Sequence, residues 1–253
     1  VIYIKTKKEI DLIRESCRIV AETLQLIKKH VKPGVSTLEL DKIAEDYVLS
    51  NNSLPAFKGV SQGGGRKFPG TICASIDEEV VHGIPSDRKL IEGQIISIDM
   101  GVIKNKYYSD AAITVPVGNV SEEKMRLIKV TEESLYKGIE EAKANNRVRD
   151  ISAAVQEYVE ANGFSVVRDL CGHGVGRYLH EDPSIPNFGK RGTGSILKNG
   201  MTIAIEPMVN TGIYDVAVLE DEWTVVAVDG LPSAHFEHTI VINDDKPEIL
   251  TVC

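Results

Sequence analysis

Cysteine is scarce in this chain. The four it has, Cys17, Cys73, Cys171 and Cys253, form no C-x-x-C pair. Their spacing offers no disulfide framework, and reduced thiols are the expectation. Apolar runs are short as well. None approaches the roughly 18 residues that cross a bilayer, and the opening VIYIKTKKEI has no apolar signal region. A cytoplasmic protein with no membrane partner is expected. Positive charge is in deficit, 29 Lys and Arg against 37 Asp and Glu, for a net charge of -8. That balance argues against a general binder of nucleic acid, and no specific DNA partner is expected. Two catalytic signatures are missing too. The H-E-x-x-H zinc motif fails after His180-Glu181 because position 184 is serine. The run Gly63-Gly64-Gly65-Arg66-Lys67 lacks the G-K-[ST] ending of a phosphate cradle and reads as a surface loop.

What is present is an ordinary globular composition, 42% hydrophobic and 26% charged over 253 residues, within range for one large α/β or α+β unit. Thr6 and Glu9 have capping-box spacing, and Ile10, Ile13, Cys17, Val20, Leu24 and Ile27 follow at helical steps, so residues 7–30 read as a helix. A second helix starts at Ser36 or Thr37. Strand patterns follow over 71–76, 95–103 and 107–115. Helices return over 121–144 and over 150–162, the latter capped by Asp150. Strands resume over 164–168, 201–206, 223–228 and 235–242.

This order is an internal repeat. LIEGQIISIDMGV (Leu90 to Val102) matches LKNGMTIAIEPMV (Leu197 to Val209), with Asp99 on Glu206 and Gly93 on Gly200. VSTLEL (Val35 to Leu40) resembles VRDISA (Val148 to Ala153), and His82-Gly83-Ile84-Pro85 resembles His180-Glu181-Asp182-Pro183. A single domain over 1–253 is expected, its halves about 1–117 and 118–253, sharing a curved sheet with helices outside and a site at the junction.

The chemistry gathers around Gly172-His173-Gly174. Glycine on both sides of a histidine lets a metal or another backbone approach closely. Asp99, Asp110, Glu206 and Glu237 lie in apolar surroundings. Ionised carboxylates are rarely buried unpaired, and the chain offers no matching set of buried arginines. Two divalent cations would balance four such acids. Asp99 and Asp110 flank a hairpin. A two-residue turn at Lys104-Asn105 would set them directly opposite, with Cβ atoms about 5 Å apart, and a slipped register would make the pair diagonal. Oxygen-rich ligation of this kind suits Mn, Fe or Co better than structural zinc. His82 and His180 remain as donors to a substrate amide and an oxyanion.

The motifs VHGIP (Val81 to Pro85), SIDMGV (Ser97 to Val102), YSDAA (Tyr108 to Ala112), CGHGVGRYLHEDPSIPNFG (Cys171 to Gly189), GMTIAIEPM (Gly200 to Met208), WTV (Trp223 to Val225) and SAHFEHT (Ser233 to Thr239) resemble the type I methionine aminopeptidases of bacterial kind. The resemblance spans essentially the whole chain. It implies the α+β pita-bread fold and a dinuclear site for divalent cations (Co, Fe, Mn, Ni or Zn). It implies Asp99, Asp110, His173, Glu206 and Glu237 as metal ligands, with Asp110 and Glu237 bridging and Glu206 also moving a proton. His82 and His180 match the family's substrate-contacting histidines, and Phe68, Cys73 and Trp223 match its methionine pocket. The implied partners are the N-termini of nascent polypeptides; separately, the glycines and the Arg66-Lys67 charge of the loop Ser61 to Lys67 suggest a transient ribosome contact, with a solvated insertion as the alternative. His235 departs from the family's usual glutamine, and the aromatic expected near Val60 is missing. The runner-up is a prolidase-type Xaa-Pro peptidase on the same fold. A non-catalytic peptide-binding module is a third reading, set against the retention of all five ligands.

Overall fold

The structure is a computed structural model that describes every residue except 62, 63 and 245. Helix α1 (Lys7–His30) begins at a complete capping box: Thr6 Oγ1 accepts the Glu9 N–H, and Glu9 Oε2 accepts the Thr6 N–H at 2.9 Å. Ser36 and Glu39 make the same box for α2 (Thr37–Ser50). Strands β1 (Leu54–Pro55), β2 (Cys73–Ile76) and β3 (Glu79–Val81) follow, then the long hairpin β4 (Ile95–Lys104) and β5 (Tyr107–Pro116). Helix α3 (Glu122–Glu141) is capped by Ser121. Helix α4 (Val148–Ala161) starts earlier than the expected cap at Asp150. That residue lies in its first turn and accepts the Arg147 N–H at 2.7 Å, the acid's half of a capping box. The remaining strands are short: β6 (Ser165–Val166), β7 (Cys171–Gly174), β8 (Glu181–Pro186), β9 (Thr202–Ile205), β10 (Met208–Asn210), β11 (Val216–Val218), β12 (Val225–Ala227), β13 (Ser233–His235), β14 (Glu237–Val241) and β15 (Glu248–Ile249).

Nine antiparallel strands form the main sheet in the order β1-β4-β5-β14-β9-β7-β8, with β2 on β4 and β15 on β14. Two three-stranded sheets, β13-β10-β6 and β11-β12-β3, flank it. Helices cover the main sheet in two blocks. α1 and α2 bury Val20, Leu24, Leu40 and Val48 against Ile96, Ile98 and Met100 of β4. α3 and α4 bury Leu135, Ile139, Ile151 and Val155 against Ile203 and Ile205 of β9 and Ile240 of β14. Each such aliphatic side chain contributes roughly 1.5–3 kcal/mol. Because strand side chains alternate, this packing commits Asp99, Asp110 and Glu237 to the face turned away from the helices. No helix among the described residues is long and apolar enough to cross a membrane.

Several strands differ from the sequence expectation for identifiable reasons. The segment from Thr71 pairs only from Cys73, because Asp41 Oδ1 takes the Thr71 and Ile72 N–H groups at 2.7 and 2.9 Å. The segment from Trp223 pairs only from Val225, because Asp221 Oδ1 takes the Trp223 and Thr224 N–H groups, each at 2.8 Å. The single strand expected over 235–242 breaks at Phe236, whose ring is buried in the α3–α4 block. β13 then pairs with β10, and β14 with β5 and β9.

The hairpin register is corrected by one position. The turn is Asn105-Lys106, with φ of 51° and 69°, and Lys104 pairs with Tyr107. Asp99 therefore faces Ala112 and Asp110 faces Gly101, so the two acids are diagonal neighbours. A tight hairpin of this hand needs positive φ at both central residues, and asparagine tolerates that better than lysine. The exposed Lys106 accordingly sits in a conformation costing about 1 kcal/mol. Lys106→Gly should raise stability by about that amount, read as a higher urea midpoint at unchanged slope. A lower midpoint would contradict the strain assigned to this turn.

Candidate metal centre

Register puts the acids together. Cys73 of β2 pairs with Asp99, Asp99 with Ala112, and Ala112 with Glu237 of β14, so the four form one row across the sheet. Ala112 leaves open space between two carboxylates. Asp110 stands two residues away on the same face of β5, diagonal to Asp99. Its backbone is fixed by Thr239, whose hydroxyl donates to the Asp110 carbonyl at 2.7 Å and accepts the Asp110 N–H at 3.2 Å. Glu206 follows β9 directly, where Pro207 ends the ladder.

His173 arrives on β7. A Cβ on Gly172 would lie 2.4 Å from the Ala204 carbonyl oxygen of β9, and one on Gly174 would lie 2.4 Å from that of Asp182 on β8. The flanking glycines are thus what lets β7 fit between its two neighbours. His173 Nδ1 donates to the Gly174 carbonyl at 2.9 Å. Its bare Nε2 faces Glu206 Oε1 at 3.4 Å and Asp110 Oδ2 at 3.8 Å. Burial pushes the His173 pKa down to about 3, so the ring is neutral and its Nε2 carries no proton of its own.

The acids are in the complementary predicament. Burial pushes Asp99 up to about 7. Burial first, and the neighbouring carboxylates second, push Asp110, Glu206 and Glu237 well above the usual carboxylate range. Asp99 Oδ1, Asp110 Oδ1 and Glu237 Oε1 are buried without any hydrogen-bond partner. Asp110, His173 and Glu237 bring ligand atoms within 4.8 Å of one another, and so do Asp99, His235 and Glu237. Glu237 belongs to both groups. Orphaned oxygens, a bare imidazole nitrogen and four acids without buried cationic side chains fit a pair of divalent cations.

His235 did not stand out in the sequence as a site residue. It is buried, its Nδ1 donates to the Pro207 carbonyl at 3.2 Å, and its Nε2 lies 4.0 Å from Glu237 Oε2 with no partner. A histidine two residues before an acid on a strand shares its face, and that spacing was the available signal.

The centre opens into a cavity of about 790 Å³, the size of a small-ligand site. Phe68, Cys73 and Trp223 form one apolar cluster on its wall, with Phe57 and Ile84 packed behind. The Phe68 and Trp223 rings meet edge-on at 5.1 Å, and Trp223 Nε1 donates to the Arg66 carbonyl at 2.9 Å. Phe57, a lining residue the sequence reading overlooked, stands three positions before Val60, where an aromatic was expected. His82 sits at φ 60° with its ring edge-on to Trp223 at 6.2 Å. Left-handed backbone on a residue other than glycine costs about 1–3 kcal/mol and is held by its surroundings. The His180 ring stands edge-on to His173 at 4.5 Å. Next to it, Glu181 accepts the Arg177 and Tyr178 N–H groups and pairs with the buried Lys5 at 2.5 Å. The start of the chain thereby fixes the turn that presents His180.

The fold and the site together define a metal-dependent peptidase. The sequence profile of metallopeptidase family M24 matches residues 11–244, and the chain belongs to that family. The methionine aminopeptidase of Clostridium perfringens is 52% identical over 251 residues, 99% of each chain. The crystal structure of the methionine aminopeptidase of Thermotoga maritima superposes with a TM-score of 0.96 at 45% identity, covering 100% of both chains. That match identifies the architecture as the pita-bread fold. The prolidase of Pyrococcus furiosus shares the fold at a TM-score of 0.80 and 24% identity, with 99% of this chain covering 65% of that one.

The metal-free acids make a pH prediction. Their folded pKa values are raised, so the folded state holds protons that the unfolded state has released. Their contribution to stability falls as pH rises from the ordinary carboxylate range near 4 through about 7 for Asp99. The buried neutral histidines act oppositely below about pH 6.5. Comparing loaded with metal-free protein at each pH cancels groups that do not ligate. The rise in Tm given by saturating Mn²⁺ should widen from about pH 5 to about pH 8. A constant increment would show that these acids are not the binding groups.

Proposed function

We propose that this chain removes methionine from the amino end of polypeptides whose second residue is small. The supporting observation is that the Phe68–Cys73–Trp223 wall and the acid–histidine centre share one cavity. In this reading Asp99, Asp110, His173, Glu206 and Glu237 would hold two divalent cations (Co, Fe, Mn, Ni or Zn), Asp110 and Glu237 being the residues that would serve both. When bound, the cations supply Lewis acidity and make a water more acidic. Residues 1–253 act as one catalytic domain, with the halves about 1–117 and 118–253 meeting at the centre, in the cytoplasm.

Glu206 is the proton carrier, placed directly after β9 with Oε1 3.4 Å from His173 Nε2 and on the wall of the cavity. It takes a proton from the attacking water and returns it to the departing nitrogen. His180, held neutral by burial, donates to the scissile carbonyl oxygen as negative charge develops there. His82 donates to the substrate amide. Burial raises the Cys73 thiol well above its ordinary pKa, so it stays protonated and serves as wall rather than nucleophile. A flexible, polarisable methionine side chain suits sulfur and aromatic walls. The substrate's free amine is drawn to the acids, which restricts action to chain ends. Its second side chain passes between the cations and the two histidines, where only a small one fits.

His180→Ala should lower kcat on the order of 10²–10³ and leave metal content unchanged. Loss of metal would make His180 a ligand. In a Met-Xaa-Ser series, peptides with Gly, Ala, Ser, Thr, Cys, Pro or Val second should be cleaved, and those with Leu, Lys, Glu or Phe spared. Equal cleavage of Met-Ala and Met-Leu peptides would refute the size filter, and preference for Ala-Pro would favour the prolidase activity. Nascent chains are met at the ribosome, and we assign that encounter to the loop Ser61 to Lys67. Gln62 and Gly63 lie outside the described residues; Arg66 is exposed and leans toward Glu222 at 4.0 Å. Lys67→Glu should weaken cosedimentation with ribosomes at low salt, and unchanged cosedimentation would remove the assignment.

A further inference from the structure

The surroundings of His235 are unusual for a packing histidine. A carbonyl only accepts, so the Nδ1 contact to Pro207 places the ring hydrogen on Nδ1. Nε2 of the neutral ring is then an acceptor. It is fully buried and meets no donor among the described residues. Instead it faces Glu237 Oε2 at 4.0 Å and joins Asp99 and Glu237 in a group whose ligand atoms lie within 4.8 Å of one another. With the acids ionised, as cation binding requires, the nitrogen lone pair and two carboxylates converging there repel one another. A cation among them removes that repulsion.

The arrangement repeats the one around His173. There too Nδ1 donates to a backbone carbonyl, that of Gly174, and the bare Nε2 points at two acids. Fixing the ring by an Nδ1–H bond to a carbonyl is the usual way a ligating imidazole is oriented. His235 is held further by Thr114, whose hydroxyl donates to the His235 carbonyl at 2.8 Å and accepts its N–H at 2.9 Å. Ser97 supports that hydroxyl at 2.9 Å. A rigid backbone, a fixed tautomer and an unpaired nitrogen are what a ligand position requires.

We propose that His235 is a sixth ligand of the centre, its Nε2 binding the cation held by Asp99 and Glu237. The inference rests on the five-ligand reading above and deepens it. Each cation then has one imidazole, His173 for one and His235 for the other. Added nitrogen shifts a site's preference from Mn toward Co, Ni and Zn.

The test is proton NMR of the full chain loaded with two equivalents of cobalt(II). Each cobalt-bound imidazole yields one strongly shifted N–H signal that disappears in D₂O. Two such signals are expected, from His173 and His235. His235→Gln keeps an amide able to donate to Pro207 and should lose one of them. By calorimetric titration of the metal-free protein, the same variant should bind its weaker cobalt about 10–100-fold less tightly. A single exchangeable shifted signal in the unmodified protein overturns the proposal while leaving His173 in place. No shifted signal at all overturns the five-ligand reading with it. The count in the unmodified protein decides the matter even where the variant folds poorly. Two signals that both survive in His235→Gln would assign the second imidazole elsewhere and overturn the proposal equally.

Discussion

Four carboxylates that cannot all be ionised together are the constraint on which this structure turns. Asp99, Asp110, Glu206 and Glu237 lie on one face of a sheet whose other face is packed with isoleucine, and each is forced away from its ordinary protonation by burial. Replacing any one by an apolar residue would relieve the repulsion and stabilise the metal-free fold. Four acids whose charge burial disfavours fit a bound cation pair, and the neutral histidine facing them offers a lone pair to the same guest. The helices, in this view, form the dry backing that makes the carboxylates bind strongly.

The substrate cavity follows from the same arrangement. Because Cys73 is the register partner of Asp99, the apolar wall starts one strand away from the acids. Phe68 and Trp223 close on Cys73 from loops anchored elsewhere, Trp223 through Asp221 and the Arg66 carbonyl. The separation of the apolar wall from the acids is thus set by the spacing of two hydrogen-bonded strands, among the least variable lengths in a protein.

Much of this was legible in the sequence, for physical reasons. Helix starts were legible because capping boxes are local, and even the misplaced Asp150 does a capping residue's work. The acids were legible because the repeat aligned Asp99 with Glu206 and because unpaired carboxylates do not belong in apolar strands. The hairpin register was not, since it depends on which of two adjacent pairs accepts left-handed backbone. β7 and β8 were invisible because Cys171-Gly172-His173-Gly174 and a segment with Pro183 and Pro186 lack strand-forming side chains; neighbouring strands impose their extension. His235 was less legible: its spacing from Glu237 puts both on one face, but the lack of a hydrogen-bond partner at Nε2 shows only in the structure.

The position of β14 has a consequence for assembly. It lies late in the sequence but in the middle of the main sheet, between β5 and β9. Each helical block buries apolar residues of its own, so each half can begin to condense separately. What joins them is the strand that brings Glu237, the acid common to both ligand groups. Without this strand the centre would lack the acid that both ligand groups contain. The strand that seams the main sheet and the acid shared by both ligand groups thus lie in the same five residues, Glu237–Val241.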